Sequence, residues 1–421
     1  MMAIVFKVLV AAAAALLGAC VLRSRVPLAL SDRRFVQLLL ALQLVPALAL
    51  FVALYVVAGQ DVTSDVPGYY VPVARAVLAG QMPYRDFPLS YGPLFPYVGA
   101  ALLQLWNSPK IFALFAIALN ALALVWWHSA AVACFDRQTA RVSSVLYATS
   151  GHVLVQALLG TNQAWIAAAL AASTLLLVRR RDMASGLVQA LALVAVKFLV
   201  LLFWPVLWIC ARHRLRWLCG AVLPIALVFG FLIGTGVDVL VPLREEGDLI
   251  SSGNLPYLLA PLVERLGASA PRLFDGIALL LLGSAVVWLL VKAWKLPPES
   301  RLRWLMPALT LIGVTFMLFS KKSFTGYALF FLYPAMLVLA QSIQRAHWRT
   351  AFVLAFNVLL AAEPSAWFYL GGDGRGLGAW LATGHATALY AFVLVDIALI
   401  ACYAYVAVLS FFRIASQSAS A

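Results

Sequence analysis

Residues 59–97 read GQDVTSDVPGYYVPVARAVLAGQMPYRDFPLSYGPLFPY, the longest polar-containing interruption in an otherwise apolar chain. Asp61, Asp65, Arg75, Arg85 and Asp86 stand there among tyrosines and prolines. The density of Pro and Gly from Pro83 to Pro93 excludes a helix interior and predicts a turn-rich loop. Crossing a bilayer requires no such loop, so its carboxylates and aromatic faces are expected to serve a purpose at the water interface.

Outward from this stretch the chain is a succession of apolar runs. Of its 421 residues 64% are hydrophobic and only 11% charged, with a mean hydropathy of +0.97. Soluble domains carry about 25% charged residues, so the composition predicts an all-α polytopic integral membrane protein. At roughly 20 apolar residues per span there is room for about 12–13 transmembrane helices in a single membrane domain over residues 1–421. The net charge of +14 lies in short clusters between apolar runs, which argues against a nucleic-acid partner and for topology signals. Five cysteines, Cys20, Cys134, Cys210, Cys219 and Cys402, lack paired spacing, so neither a disulfide framework nor a structural metal is expected. Leu17-Gly18-Ala19-Cys20 has the look of a lipoprotein processing site, but Arg23 and Arg25 follow at once, and a retained first helix is the preferred reading.

The expected spans are residues 3–22, 35–58, 110–132, 142–159, 163–178, a pair within 184–211, 217–235, 273–294, 304–319, 327–342, 350–363 and 384–410. Residues 1–34 are then an extra amino-terminal helix with a cytoplasmic loop, 59–109 and 236–272 are the first and second outer loops, and 413–421 is a disordered tail. The clusters Arg179 to Arg181, Arg212 to Arg216 and Lys292 to Arg303, with Arg137, Arg141, Arg345, Arg349 and Arg413, fall on one side, which the positive-inside rule makes cytoplasmic. The opposite side receives Asp61, Asp65, Asp86, Asp238, Glu245, Glu246, Asp248, Glu264, Glu363 and Asp373. The segment 184–211 reads as two short helices turning near Lys197. A lysine at membrane depth costs about 2.5–3.5 kcal/mol, so Lys197 faces a watery cavity or snorkels from a hairpin tip.

Asp65 is the first candidate for a catalytic carboxylate, since a partly desolvated carboxylate can take a proton from an attacking hydroxyl. The competing reading is a helix cap, for which Ser64 and Asp65 are both suited; Asp61 is the fallback base. Asp86 either orients an acceptor, supplies a second carboxylate or pairs with Arg85. Lys321 and Lys322 form a dibasic turn on the outer side, suited to a phosphate or to anionic headgroups. The second outer loop offers Asn254 beside Ser251, Ser252 and Tyr257, groups that suit sugar hydroxyls as well as an interfacial turn. No histidine pair has metal-ligand spacing, and no nucleotide-binding glycine loop is present. No cofactor is expected.

These residues, taken in order, resemble the GT-C superfamily of integral-membrane glycosyltransferases, in particular glycosyltransferase family 87. The resemblance rests on an Asp after an early span followed by Tyr69-Tyr70, on Leu78-Ala79-Gly80, Pro83-Tyr84-Arg85-Asp86-Phe87 and Tyr91-Gly92-Pro93-Leu94, and on Gly160-Thr161-Asn162-Gln163, Arg179 to Arg181 and Lys197. It covers residues 35 to 342 and departs from the family pattern in placing the acidic loop after the second span. It implies a GT-C-like bundle in a bacterial inner membrane, a polyprenyl-phosphate-linked sugar as donor and a lipid or glycan acceptor. It also implies inverting transfer of a mannose-like hexose on the extracytoplasmic face, with Asp65 as base. Lys321, Lys322, Lys197 and Arg85 would then meet phosphate, with Tyr69, Tyr91 and Asn254 lining the substrate site. The rival readings are a flippase for a lipid-linked glycan and an oligosaccharide ligase or polymerase.

Overall fold

The computed structural model describes residues 2–24, 29–244, 250–343, 348–370 and 386–419. Among them the secondary structure is helical, as a chain in hydrocarbon must satisfy its backbone within each segment. Seven helices are long and apolar enough to cross a membrane, or eight if the pair Arg137–Ala148 and Gly151–Leu159, bent by 46°, is one span. The protein is therefore a polytopic, multi-pass helical membrane protein. Several of the remaining expected spans, such as Gln163–Val178 and Asp182–Ala195, are shorter apolar helices of 10–17 residues. At about 1.5 Å per residue these fall short of the roughly 30 Å of a hydrocarbon core. Glu245, Glu246, Asp248, Asp373, Arg25 and Arg345 lie outside the described residues.

Contacts gather the chain into two compact units, one made of residues 1–30, 137–155 and 248–421, the other of residues 31–136 and 156–247. In the first unit the Met2–Arg23 helix packs on Trp348–Leu370, Arg137–Ala148 on Leu332–Ile343, and Pro298–Phe319 on Ala386–Ala419. In the second, Lys110–Cys134 packs on Gln163–Val178, which packs on Asp182–Ala195, which packs on Arg214–Gly234. The last pair cross closely: a Cβ on Gly186 would strike the Trp217 carbonyl oxygen and backbone, which cannot swing aside. A polar ladder reinforces the crossing, with the Trp217 indole donating to Ser185 Oγ at 3.1 Å and Ser185 and Ser173 hydroxyls 2.6 Å apart.

Several expectations are corrected. After Arg413 the last helix continues to Ala419, Ile414 is buried, and Arg413 donates to the Gln341 carbonyl at 3.2 Å. Glu363 does not end a span at the outer side: it lies inside the Trp348–Leu370 helix, which runs on past 363, and is fully buried. The outer loops also hold helices, Val71–Leu78 and Phe95–Leu105 in the first and Leu255–Arg265 in the second. The turn expected near Lys197 is present: the Asp182–Ala195 helix ends, Lys197 is extended at φ −158°, and a 3-10 turn starts at Phe198.

Candidate functional site

In the second unit, the chain leaves the Asp32–Phe51 helix and its π-helical continuation Val52–Val57 and is pinned at once by Ser64. The Ser64 hydroxyl donates to the Leu159 carbonyl at 2.7 Å and accepts the Val66 N–H at 3.2 Å. Asp65 follows at the N-cap position of a π-helical turn, Val66–Tyr70, yet its side chain caps nothing. The carboxylate is thus open to other work. Pro67 and the wide turn then place Tyr69 and Tyr70 side by side.

Those two rings begin an aromatic wall. Tyr69 lies 5.3 Å and Tyr70 5.6 Å from the Tyr91 ring centroid, and Tyr91 stacks on Phe95 at 4.6 Å. The hydroxyls fix the wall: Tyr69 accepts the Ser90 N–H at 3.0 Å, Tyr70 accepts the Asn162 N–H at 3.3 Å, and Tyr84 donates to the Tyr91 carbonyl at 2.5 Å. Tyr84 holds a left-handed backbone, φ 66°, uncommon for a residue with a side chain. Burial pushes its phenol well above the usual value, so it stays a neutral donor.

The same segment is laced to the break after Ala195. Gly92 N–H donates to the Val196 carbonyl at 3.0 Å and Leu94 N–H to the Val194 carbonyl at 2.8 Å. Only a glycine fits at 92, because a Cβ there would strike the Val194 carbonyl oxygen. The lacing sets Lys197 over Tyr91, its Nζ 5.3 Å from the ring centroid, within cation–π range. Lys197 also acts on Asp65. Packing around Asp65 pushes its carboxyl above the ordinary range while the Lys197 charge draws it back, although the residue keeps an exposed side.

Asp86 is engaged elsewhere. Arg85 Nε and Nη2 donate to its two oxygens at 2.9 and 2.8 Å, and its Oδ2 accepts the Met82 N–H at 2.7 Å. The Arg85 guanidinium holds its carboxyl down at about 2. This pair locks the turn between Met82 and Phe87. Asp61 is exposed on the approach to Ser64. An apolar cavity of about 390 Å³ lies alongside, lined by Met82, Pro83, Pro93 and Tyr97 and by Leu227 and Phe231 of the Arg214–Gly234 helix.

The first unit holds the other expected residues. Lys321 is buried and paired with Asp275, Nζ to Oδ2 2.7 Å, and Lys322 is half-buried. Asn254 caps the Leu255–Arg265 helix: its Oδ1 accepts the Tyr257 N–H at 2.9 Å, and its Nδ2 donates to the Ser251 and Ser323 carbonyls at 2.8 and 3.1 Å. Its amide is fully used by these bonds. The structure therefore brings Asp65, Tyr69, Tyr91 and Lys197 together, gives Arg85 and Asp86 to each other, and makes Asn254 a cap.

Sequence reasoning missed Tyr84 and Tyr70 as supports of the wall, and it missed Asp396. Asp396 is a lone acid inside the apolar stretch Tyr390–Gln417, a signal that marks function by default. Among the described residues no three of His, Cys, Asp and Glu gather as a metal site, and the five cysteines are free. No known protein family matches the chain, and no curated protein sequence matches it.

Proposed function

We propose that this membrane protein is a glycosyltransferase that moves a mannose-like hexose from a polyprenyl-phosphate carrier to a hydroxyl of a lipid or glycan acceptor. The observation that carries the reading is Asp65, a carboxylate with a raised pKa that caps no helix, held opposite the Lys197 ammonium on an aromatic wall. Asp65 takes the proton of the acceptor hydroxyl as its oxygen attacks the anomeric carbon. The bond from that carbon to the phosphate oxygen breaks, the electron pair leaves on the phosphate, and the configuration inverts. Lys197 meets the charge that develops there, a contribution of about 3–4 kcal/mol for a well-placed donor. Lys321, already neutralised by Asp275, is the weaker choice for that role.

Tyr69 offers a ring face to the sugar, with the buried Tyr91 packed behind it, and the apolar cavity beside Pro93 suits the first isoprene units of the carrier. Arg85 and Asp86 shape the turn between them. The positive-inside reading of the basic clusters supports an extracytoplasmic side for this loop, and the resemblance to the glycosyltransferases supports a bacterial inner membrane.

The test is transfer from a panel of radiolabelled polyprenyl-phosphate hexoses by detergent-purified protein. Asp65→Asn is expected to lose about 10²–10⁴ in rate at an unchanged melting temperature; undiminished transfer by that variant ends the assignment of Asp65. A second reading, a flippase for a lipid-linked glycan, is favoured by one observation, the buried acids Glu363 and Asp396 inside helices. Turnover in detergent, without a sealed compartment, separates the two.

A further inference from the structure

Glu363 on the Trp348–Leu370 helix and Asp396 on the Ala386–Ala419 helix are both fully buried, and their helices pack together. Glu363 Oε1 accepts the Ser252 hydroxyl at 2.6 Å and Oε2 accepts the Thr325 hydroxyl. Asp396 is less well served. Its Oδ2 accepts a long bond from Gly253 N–H at 3.4 Å, and its Oδ1 has no partner.

A second observation points at the same spot. Tyr403 lies seven residues after Asp396, two turns along one helix face, and its side chain leans back toward the helix start. It is fully buried, its hydroxyl has no hydrogen-bond partner, and it lies within electrostatic reach of both carboxyls. Among the described residues no lysine or arginine pairs with either acid, and Lys321 of the same unit is held by Asp275. Other ionisable groups on the surrounding elements include Cys402, His152, whose Nδ1 meets the Leu360 carbonyl at 3.0 Å, and Tyr257, packed on Phe392.

Two adjacent carboxylates in an apolar setting do not stay doubly charged, and either protons or a bound cation must neutralise them. Every donor is an oxygen, the set that hard cations select over zinc or copper. We propose that Glu363, Asp396 and Tyr403, with the hydroxyls of Ser252 and Thr325, bind one small hard cation of the calcium type, whose two charges cancel those of the acids. Calcium accepts six to eight oxygens in flexible geometry, whereas magnesium demands a near-ideal octahedron and keeps its waters. Protons compete for the same oxygens, so affinity falls as pH is lowered. The site does not depend on glycosyl transfer.

The experiment uses the full-length protein, purified and stripped with chelator, in equilibrium dialysis with radioactive calcium and in thermal melts with calcium, magnesium or sodium chloride. The expected result is saturable binding of about one ion per chain, with a melting temperature that rises with the logarithm of calcium concentration. Tyr403→Phe should weaken binding by about 10–100-fold. Asp396→Asn, which has nearly the shape of the protonated acid, should abolish it and melt close to ion-free wild type. Saturation by sodium instead keeps the site and changes its ion. Absence of saturable binding of all three ions to wild type overturns the proposal, whatever the variants do, and so does binding that survives Asp396→Asn. Neither readout involves sugar transfer, so failure here and failure of the transferase reading are distinguishable.

Discussion

Asp65 in one unit faces water on one side with the Lys197 charge opposing its burial, whereas Glu363 and Asp396 in the other are sealed among hydroxyls, with no basic side chain among the described residues paired to them. A carboxylate balanced between packing and a nearby cation can gain and lose a proton during turnover. A sealed pair can only hold what neutralises it. The contrast follows from where the acids stand in the chain. Asp65 sits where the helix has ended and serine, proline and tyrosine build a rigid turn; the other two interrupt apolar helices and are covered by neighbouring ones.

The largest effect after Asp65→Asn tests the balance at the open site. Lys197→Met should lower the transfer rate by about 10²–10³, as for the loss of one charge-stabilising donor. It should also move the acidic limb of the pH profile. Lys197 lowers a carboxyl pKa that burial has raised, so without that charge the pKa climbs further and the base form survives only at higher pH. The limb is therefore expected to shift upward in kcat/KM against pH, and Lys197→Arg to restore its position. A rate loss with the limb unmoved would leave Lys197 at the phosphate alone and break its link to Asp65.

How much of this contrast was legible in the sequence depends on which contacts are local. The helical, multi-pass architecture follows from composition, and the break at Lys197 follows from a charge within an apolar run too long for one span. Asp65 was legible because Ser64-Asp65 and Pro67 stand just past an apolar run. That its side chain caps nothing was not, because Ser64 takes the backbone bond and is itself anchored on Leu159, far along the chain. Lys321 reads as a free outer cation until the fold brings Asp275 to it. Asn254 reads as a sugar ligand until Ser323 and Tyr257 claim its amide. Glu363 reads as the last residue of the expected span 350–363, yet the helix continues to Leu370 with Pro364 inside. Nothing local reveals that Ser252 and Thr325 converge on its carboxyl.

A smaller effect separates scaffold from chemistry at the open site. Gly92→Ala pushes a methyl group into the Val194 carbonyl and should loosen the lacing that holds Tyr91 beneath Lys197. Overpacking of this kind costs about 1–3 kcal/mol. The expected outcome is a melting temperature lowered by a few degrees, with transfer reduced but its pH profile keeping its shape. An unchanged melt would mean that the Ser90–Leu94 segment relaxes away from the helix end without loss.

The smallest effect is expected at Asp86, the second carboxylate that the sequence offers. Its carboxyl is exposed, bound twice by Arg85 and once by the Met82 N–H, and held at about 2. A depressed folded pKa contributes stability that is fully present above the ordinary carboxylate value of about 3.9. That contribution fades as pH falls toward about 2. Exposed ion pairs contribute little, so Asp86→Asn should lower the melting temperature only slightly near neutral pH. The two melting curves should converge in strong acid, where wild type has lost the pair as well. Transfer should stay within a few-fold of wild type, because a carboxyl that Arg85 and a backbone amide hold down at about 2 is a poor base. A collapse of transfer comparable to that of Asp65→Asn, at an intact melt, would show that Arg85 releases Asp86 during turnover and would move this acid from the turn into the chemistry.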